Sequence, residues 1–190
     1  MFYYYDPTYF LLIPGLLLAL YAQFKVNSTF NHWKQVPSRI GMTGAQIARA
    51  ILDSNGCRDV AIERVSGSLT DHYDPENNVL RLSSEVYGSH SIAALGVGAH
   101  EAGHAIQDAK DYKPLRIRAN LVPIANIGSN MALPLFMLGL FMSWEPLLKI
   151  GIFAFAFSVL FYLVTLPVEF NASNRAVSVL ASGYLPDDEV

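Results

Sequence analysis

"LVPIANIGSNMALPLFMLGLFM", residues 121–142, runs for 22 residues without a single charge. As an α-helix it would span about 33 Å, enough to cross a hydrocarbon core of about 30 Å. It therefore predicts a membrane-crossing helix. After the short connection "SWEPLLK", residues 143–149, residues 150–168 are again uncharged and rich in Phe, Leu and Val. Two such spans joined so briefly predict a helical hairpin. A further uncharged run, residues 9–24, lies between Asp6 and Lys25. A secretory signal is the rival there, but no Lys or Arg precedes the apolar run and no convincing small-x-small site follows it, so a retained membrane helix is expected. Tyr3, Tyr4, Tyr5 and Tyr9 fit an aromatic belt at one interface, with Tyr21 and Phe24 near the other.

Composition agrees with a membrane protein, since 52% of the 190 residues are hydrophobic and only 15% charged. A net charge of -3 with no long basic run argues against a nucleic-acid partner. The lone Cys57 can form neither an intrachain disulfide nor a Cys-rich metal site. No internal repeat or linker divides the chain, so residues 1–190 read as one domain interrupted by membrane segments.

Residues 25–120 hold most of the charge and all five histidines, and form the water-facing part. Thr43 reads as an N-cap, and Ile47, Ala48, Ile51 and Leu52 as the apolar face of a helix that Gly56 stops. Alternating runs at 60–65 and 78–82 predict two strands around the turn-rich "SGSLTDHYDPENN". A second helix is expected from Ser89 or Ser91 through His104 to about Lys110. Lys25, Lys34, Arg39 and Arg49 follow the first span, and Lys110, Lys113, Arg116 and Arg118 precede the second, whereas the loop at 143–149 has only Lys149. The excess of positive charge puts the water-facing part in the cytoplasm.

That second helix carries "HEAGH", residues 100–104. Residues four apart share a helix face, so His100 and His104 can direct imidazole nitrogens at one metal ion, about 2.0–2.1 Å away for zinc. Glu101 can then accept a proton from a metal-activated water, the general-base role of this motif in metallohydrolases. Random order of the same residues gives the pattern in roughly 0.5% of shuffles. The helix is otherwise apolar, with Ile92, Leu95, Val97 and Ala105, and a metal would offset the cost of burying three ionisable groups in it. Gly103 and Ala102 keep the helix slim where something packs closely.

A catalytic zinc needs a third protein ligand and an open position. His32, His72 and His90 are candidates from upstream. Glu169 is another: it directly follows a membrane span, opens the continuing helix pattern of Phe170, Ala172, Ala176, Val177 and Val179, and is returned by the hairpin to the side of the HEAGH helix.

"LTDHYDPENNVLRLSSEVYGSHSIAALGVGAHEAGHAIQ" together with "LPVEFNASNRA" resembles the YugP-type bacterial neutral zinc metallopeptidases, over nearly the whole chain. More distantly it is similar to the HtpX and CAAX-prenyl proteases, membrane gluzincins with an HExxH helix and a downstream glutamate. The resemblance implies His100, His104 and Glu169 as ligands of one Zn2+ per chain and Glu101 as the base. Where such relatives often carry a supporting acid, four residues after the ligand glutamate, this chain has Ser173, with Asn171 and Asn174 nearby, so the supporting hydrogen bonds must differ. "GYLPDDEV" reads as the cap of another helix, with Asp187 and Asp188 in its first turn, and leads us to expect further sequence after Val190.

The expected fold is thus a mainly α membrane protein: transmembrane helices at about 9–24, 121–142 and 150–168, a small α+β zincin-like cytoplasmic domain at about 25–120, and a helix at 169–182 carrying Glu169. The expected function is that of a zinc metalloendopeptidase of the bacterial cell membrane, multi-pass, acting on peptide or protein substrates. A strand at Asn78 to Leu82, lying at a sheet edge, would hold an extended substrate. His72, Tyr73 and Arg175 are oxyanion candidates, with Tyr73 and Arg175 kept outside the catalytic set. The alternative is a non-catalytic membrane protein with a structural zinc site, acting as adaptor or chaperone-like subunit.

Overall fold

The computed structural model describes residues 10, 12–186, 188 and 189. The proposed belt of Tyr3, Tyr4, Tyr5 and Tyr9, the start of the 9–24 span and Asp187 lie outside these residues. The chain is mainly helical, in the order α1 (Leu12–Trp33), α2 (Gly44–Ser54), β1 (Ala61–Val65), β2 (His72–Asp74), β3 (Val79–Ser83), α3 (Ser84–Tyr87), α4 (Ile92–Ala109), α5 (Lys113–Phe141) and α6 (Glu145–Ala181).

α5 and α6 are the two helices, among the described residues, that are long and apolar enough to cross a membrane. α5 already begins at Lys113, with Pro114 in its first turn, where a missing N–H costs nothing. The 150–168 span and the helix of Glu169 are one continuous α6, which Pro167 does not end. The two helices form the expected antiparallel hairpin: Gly128 lies against Ala154 and Ser158, Gly151 against Ala132 and Phe136, and Gly139 against Leu147 and Leu148. A Cβ at Gly151 would fall 2.7 Å from the Phe136 nitrogen, and one at Gly139 2.6 Å from that of Leu148. The glycines let the two backbones approach closely, the small-residue packing that membrane helix pairs use. Outward, Ile127, Leu133, Phe153 and Phe155 are exposed, as side chains facing hydrocarbon would be. α1 is also helical and exposes Leu16, Leu17, Leu18, Leu20, Tyr21 and Phe24.

In the remaining domain, α2 starts where expected, through a capping box. Gln46 N–H donates to Thr43 Oγ1 at 3.2 Å and Thr43 N–H to Gln46 Oε1 at 2.8 Å. Its Ile47, Ile51 and Leu52 are buried with Leu80, Leu82, Val86 and Leu95 in one core. α4 begins at the N-cap Ser91, whose hydroxyl accepts the Ala94 N–H at 3.2 Å.

The sheet departs from expectation. A third strand, β2, lies within the connection read as irregular, and the order is β1-β3-β2. β1 pairs parallel with β3, Ala61 opposite Val79 and Val65 opposite Ser83, while β2 pairs antiparallel, His72 opposite Arg81 and Asp74 opposite Val79. The segment Asn78 to Leu82, expected at an edge, therefore forms the central strand, and β2 is an edge. Three residues are too few to show an alternating pattern. What holds β2 in register includes the Asp74–Arg81 ion pair at 2.6 Å.

Candidate metal centre

His100 and His104 lie on one face of α4, with ring centroids 4.8 Å apart. α6 crosses that helix closely enough for a Cβ at Gly103 to fall 2.9 Å from the carbonyl oxygen of Ala172. This contact explains the glycine. It also sets Glu169, one turn before Ala172, over the histidines. Glu169 Oε2 is 3.3 Å from His100 Nε2 and 3.4 Å from His104 Nε2. The other carboxylate oxygen, Oε1, accepts from Arg118 Nη1 at 3.1 Å.

Each imidazole is oriented from behind. His104 Nδ1 lies 3.0 Å from Gln107 Oε1, an oxygen that can only accept, so Nδ1 carries the proton and Nε2 is free to bind a cation. Gln107 is fully buried, and its amide NH2 donates to the Val168 carbonyl at 2.9 Å and to Asn171 Oδ1 at 3.0 Å. His100 Nδ1 lies 3.2 Å from Ser173 Oγ, so Ser173 supports that ring. The Glu169 and Glu101 carboxylates together outweigh the opposing effect of burial and raise the His100 pKa above its ordinary value.

Glu101 is buried on the same helix, and no described residue hydrogen-bonds its carboxylate. Burial raises its pKa; His104 and His100 oppose this, while the Asp71 carboxylate adds to it. Asp71 Oδ1 accepts the Ser83 N–H at 2.7 Å, and its buried Oδ2 has no hydrogen-bond partner among the described residues. Two clefts flank the cluster. One, of about 360 Å³, is lined by Asp71, His72, Tyr73, Glu101, Arg118 and Glu169 among others. The second, of about 450 Å³, shares Asp71, His100 and Glu101 with it but is otherwise mostly apolar.

His100, His104 and Glu169 offer three donor atoms within 4.8 Å of one another. The set suits zinc. Two imidazole nitrogens and one carboxylate oxygen are ordinary zinc ligands, and two donors of a tetrahedral ion, each about 2.05 Å from it, stand about 3.3 Å apart. The Oε2 to Nε2 distances of 3.3 and 3.4 Å match that separation, while the three donors together span up to 4.8 Å, so the two imidazoles would draw closer around an ion.

The other histidines are engaged elsewhere. His32 packs edge-on against Trp33, and His90 Nδ1 lies 2.9 Å from the Gly41 carbonyl. His72 lines the smaller cleft with Nδ1 2.8 Å from the Thr70 carbonyl. Tyr73, also in that cleft, donates to Asp108 Oδ2 at 3.0 Å, and burial with this bond raises its pKa. Arg175 donates to Asn171 Oδ1 at 2.7 Å. Gln107, Arg118 and Asp71 were not expected in the site. Gln107, three residues after His104 and so on its face, carried a legible signal; the other two are brought in by tertiary packing alone.

A mainly helical chain with two candidate membrane spans thus brings two histidines of α4 and one carboxylate of α6 into a cluster that could hold a metal ion, a site of the metallopeptidase kind. More narrowly, the chain belongs to the family described as "Putative neutral zinc metallopeptidase", which it matches over residues 8–190. It is similar to "Putative membrane protease YugP" of Bacillus subtilis (strain 168), with 46% identity over 181 residues, 95% of this chain and 80% of the relative. No solved structure matches it.

Proposed function

We propose that this protein is a membrane-bound zinc endopeptidase in which His100, His104 and Glu169 hold one zinc ion and Glu101 is the general base. The observation that carries this is the convergence of both imidazole Nε2 atoms on Glu169 Oε2, at 3.3 and 3.4 Å, beside the buried Glu101, whose carboxylate no described residue hydrogen-bonds. Zinc, when bound, supplies Lewis acidity that lowers the pKa of a water from 15.7 to about 7 and polarises a carbonyl.

The chain's own groups account for the rest. Burial makes Glu101 a stronger base than a solvated carboxylate. It takes a proton from the water that attacks the scissile carbonyl carbon and delivers it to the amine as the C–N bond breaks. Gln107 keeps the His104 proton on Nδ1, Ser173 hydrogen-bonds His100 Nδ1, and Arg118 holds Glu169 Oε1 so that Oε2 faces the histidines. The same proposal makes α1 a third membrane crossing and puts the site at the cytoplasmic face. The abundance of Lys and Arg around the soluble part and the single Lys149 in the hairpin loop support that orientation.

The test is metal analysis of the purified full-length chain. About one zinc per chain, its loss in Glu169→Ala, and casein cleavage that stops on chelation and returns with zinc are the expected results. Cleavage indifferent to chelation, or no zinc bound, would overturn the proposal. Zinc bound without cleavage would favour a structural site instead.

A further inference from the structure

α4 contains three interior glycines, and two have an evident reason. A Cβ at Gly98 would fall 2.5 Å from the Gly44 carbonyl, and one at Gly103 2.9 Å from that of Ala172. Gly96 is different: a Cβ there would meet nothing within 4 Å. Glycine weakens a helix interior relative to alanine, so one that no neighbour requires is an unexplained cost. Gly96 stands one turn before His100, on the same face, and lines the 450 Å³ cleft that also holds His100 and Glu101. Its missing side chain leaves that cleft open.

Beside the reaction centre and the polar Asp71, Ser173 and Glu189, the cleft is lined by apolar side chains, among them Leu69, Val97, Val177 and Leu180. Leu69 is 47% exposed and has φ 55°, a left-handed backbone that a leucine adopts only at a cost. An exposed, strained leucine beside an open apolar cleft is explained if the apolar surface is covered in use. The volume lies within the usual range of about 300–1,000 Å³ for ligand pockets. The other cleft, with Arg118 and Glu169, is the more polar, so the two sides of the reaction centre differ in chemistry.

We propose that the cleft at Gly96 is the specificity subsite of the enzyme, taking a large aliphatic or aromatic side chain of the peptide substrate next to the cleaved bond. This rests on the endopeptidase reading above. Gly96 sets how large a side chain enters, and Leu69 closes over it.

The test uses the full-length protein in detergent and two measurements. Cleavage sites in a pool of unfolded proteins are mapped for wild type and Gly96→Leu, and binding to the Glu101→Gln protein is measured for a pair of peptides differing only by Leu or Gly at the preferred position. Wild type is expected to select large apolar residues at one fixed position. Glu101→Gln should bind the Leu peptide about tenfold to a hundredfold more tightly, the effect of burying one such side chain. Gly96→Leu, with zinc content and thermal midpoint retained, should erase that selection in favour of Gly and Ala, and Gly96→Ala should narrow it partway. Cleavage with no such selection, or with a selection that Gly96→Leu leaves intact, would overturn the subsite while sparing the endopeptidase; equal binding of both peptides would do the same. No cleavage by wild type together with equal binding would remove both.

Discussion

A fully buried glutamine is costly unless every group of its amide is paired, and Gln107 pairs on both sides. Its oxygen accepts a hydrogen bond from His104 Nδ1–H, and its NH2 ties this arrangement to the Val168 carbonyl and Asn171 on α6. One side chain thereby couples the orientation of the His104 imidazole to the helix that brings Glu169. Gln107→Met, which keeps the volume and removes the bonds, is expected to weaken zinc binding by about 10–100-fold while the chain stays folded. Titration against a chromophoric chelator measures this, and unchanged affinity would mean that the pairing is structural only. The local part of the site was legible because His100, Glu101 and His104 share one helical turn and a spacing that chance rarely produces. Arg118 and Asp71 were not, since nothing in their own segments says what they face.

At the scale of the element, α4 makes opposite demands at two glycines. Gly96→Ala adds a methyl group to open space and removes a helix penalty, so it should stabilise the fold by up to about 1 kcal/mol. Gly103→Ala drives a methyl group against the Ala172 backbone, where no rotamer relieves it, and should cost about 1–3 kcal/mol and weaken zinc binding by moving Glu169. Thermal unfolding of the two variants in the same detergent compares the signs directly; equal effects would contradict the packing described here.

The edge strand β2 makes a pH-dependent demand. Asn77 and then Arg81 hold Asp74 at about 2, below its ordinary 3.8. A depressed carboxylate stabilises the fold above its unfolded pKa, and that contribution is lost as pH falls through the folded value. Asp74→Asn should therefore be less stable than wild type at neutral pH and lose less stability between about pH 4 and about pH 2. Parallel acid titrations followed by circular dichroism would show it, and parallel losses in the two proteins would refute it. The strand itself escaped sequence reading because three residues show no period, and the central place of β3 because strand order depends on contacts between segments distant in sequence.

At the scale of the molecule, the hairpin joins two chemistries that neither part holds alone. Uncharged runs were easy to read as spans because a bilayer demands length and apolarity of each segment separately. That α6 carries one continuous helix from the hairpin loop through Glu169 to Ala181 follows from packing on α5 and α4, which Pro167 alone would not have led one to expect. The proposed orientation predicts that Ser143→Cys, in the hairpin loop, reacts with a membrane-impermeant thiol reagent added to intact cells, while Ser66→Cys reacts only after lysis; the native Cys57 is buried and stays silent. The reverse pattern would turn the molecule over in the membrane without altering the site. The central claim, that Glu101 acts as base at a zinc held by His100, His104 and Glu169, is tested most directly by comparing purified wild type and Glu101→Gln for zinc content and casein cleavage side by side. Equal zinc in both, with cleavage lowered at least about a hundredfold in the variant, is the predicted result; cleavage at the wild-type rate by Glu101→Gln would contradict it.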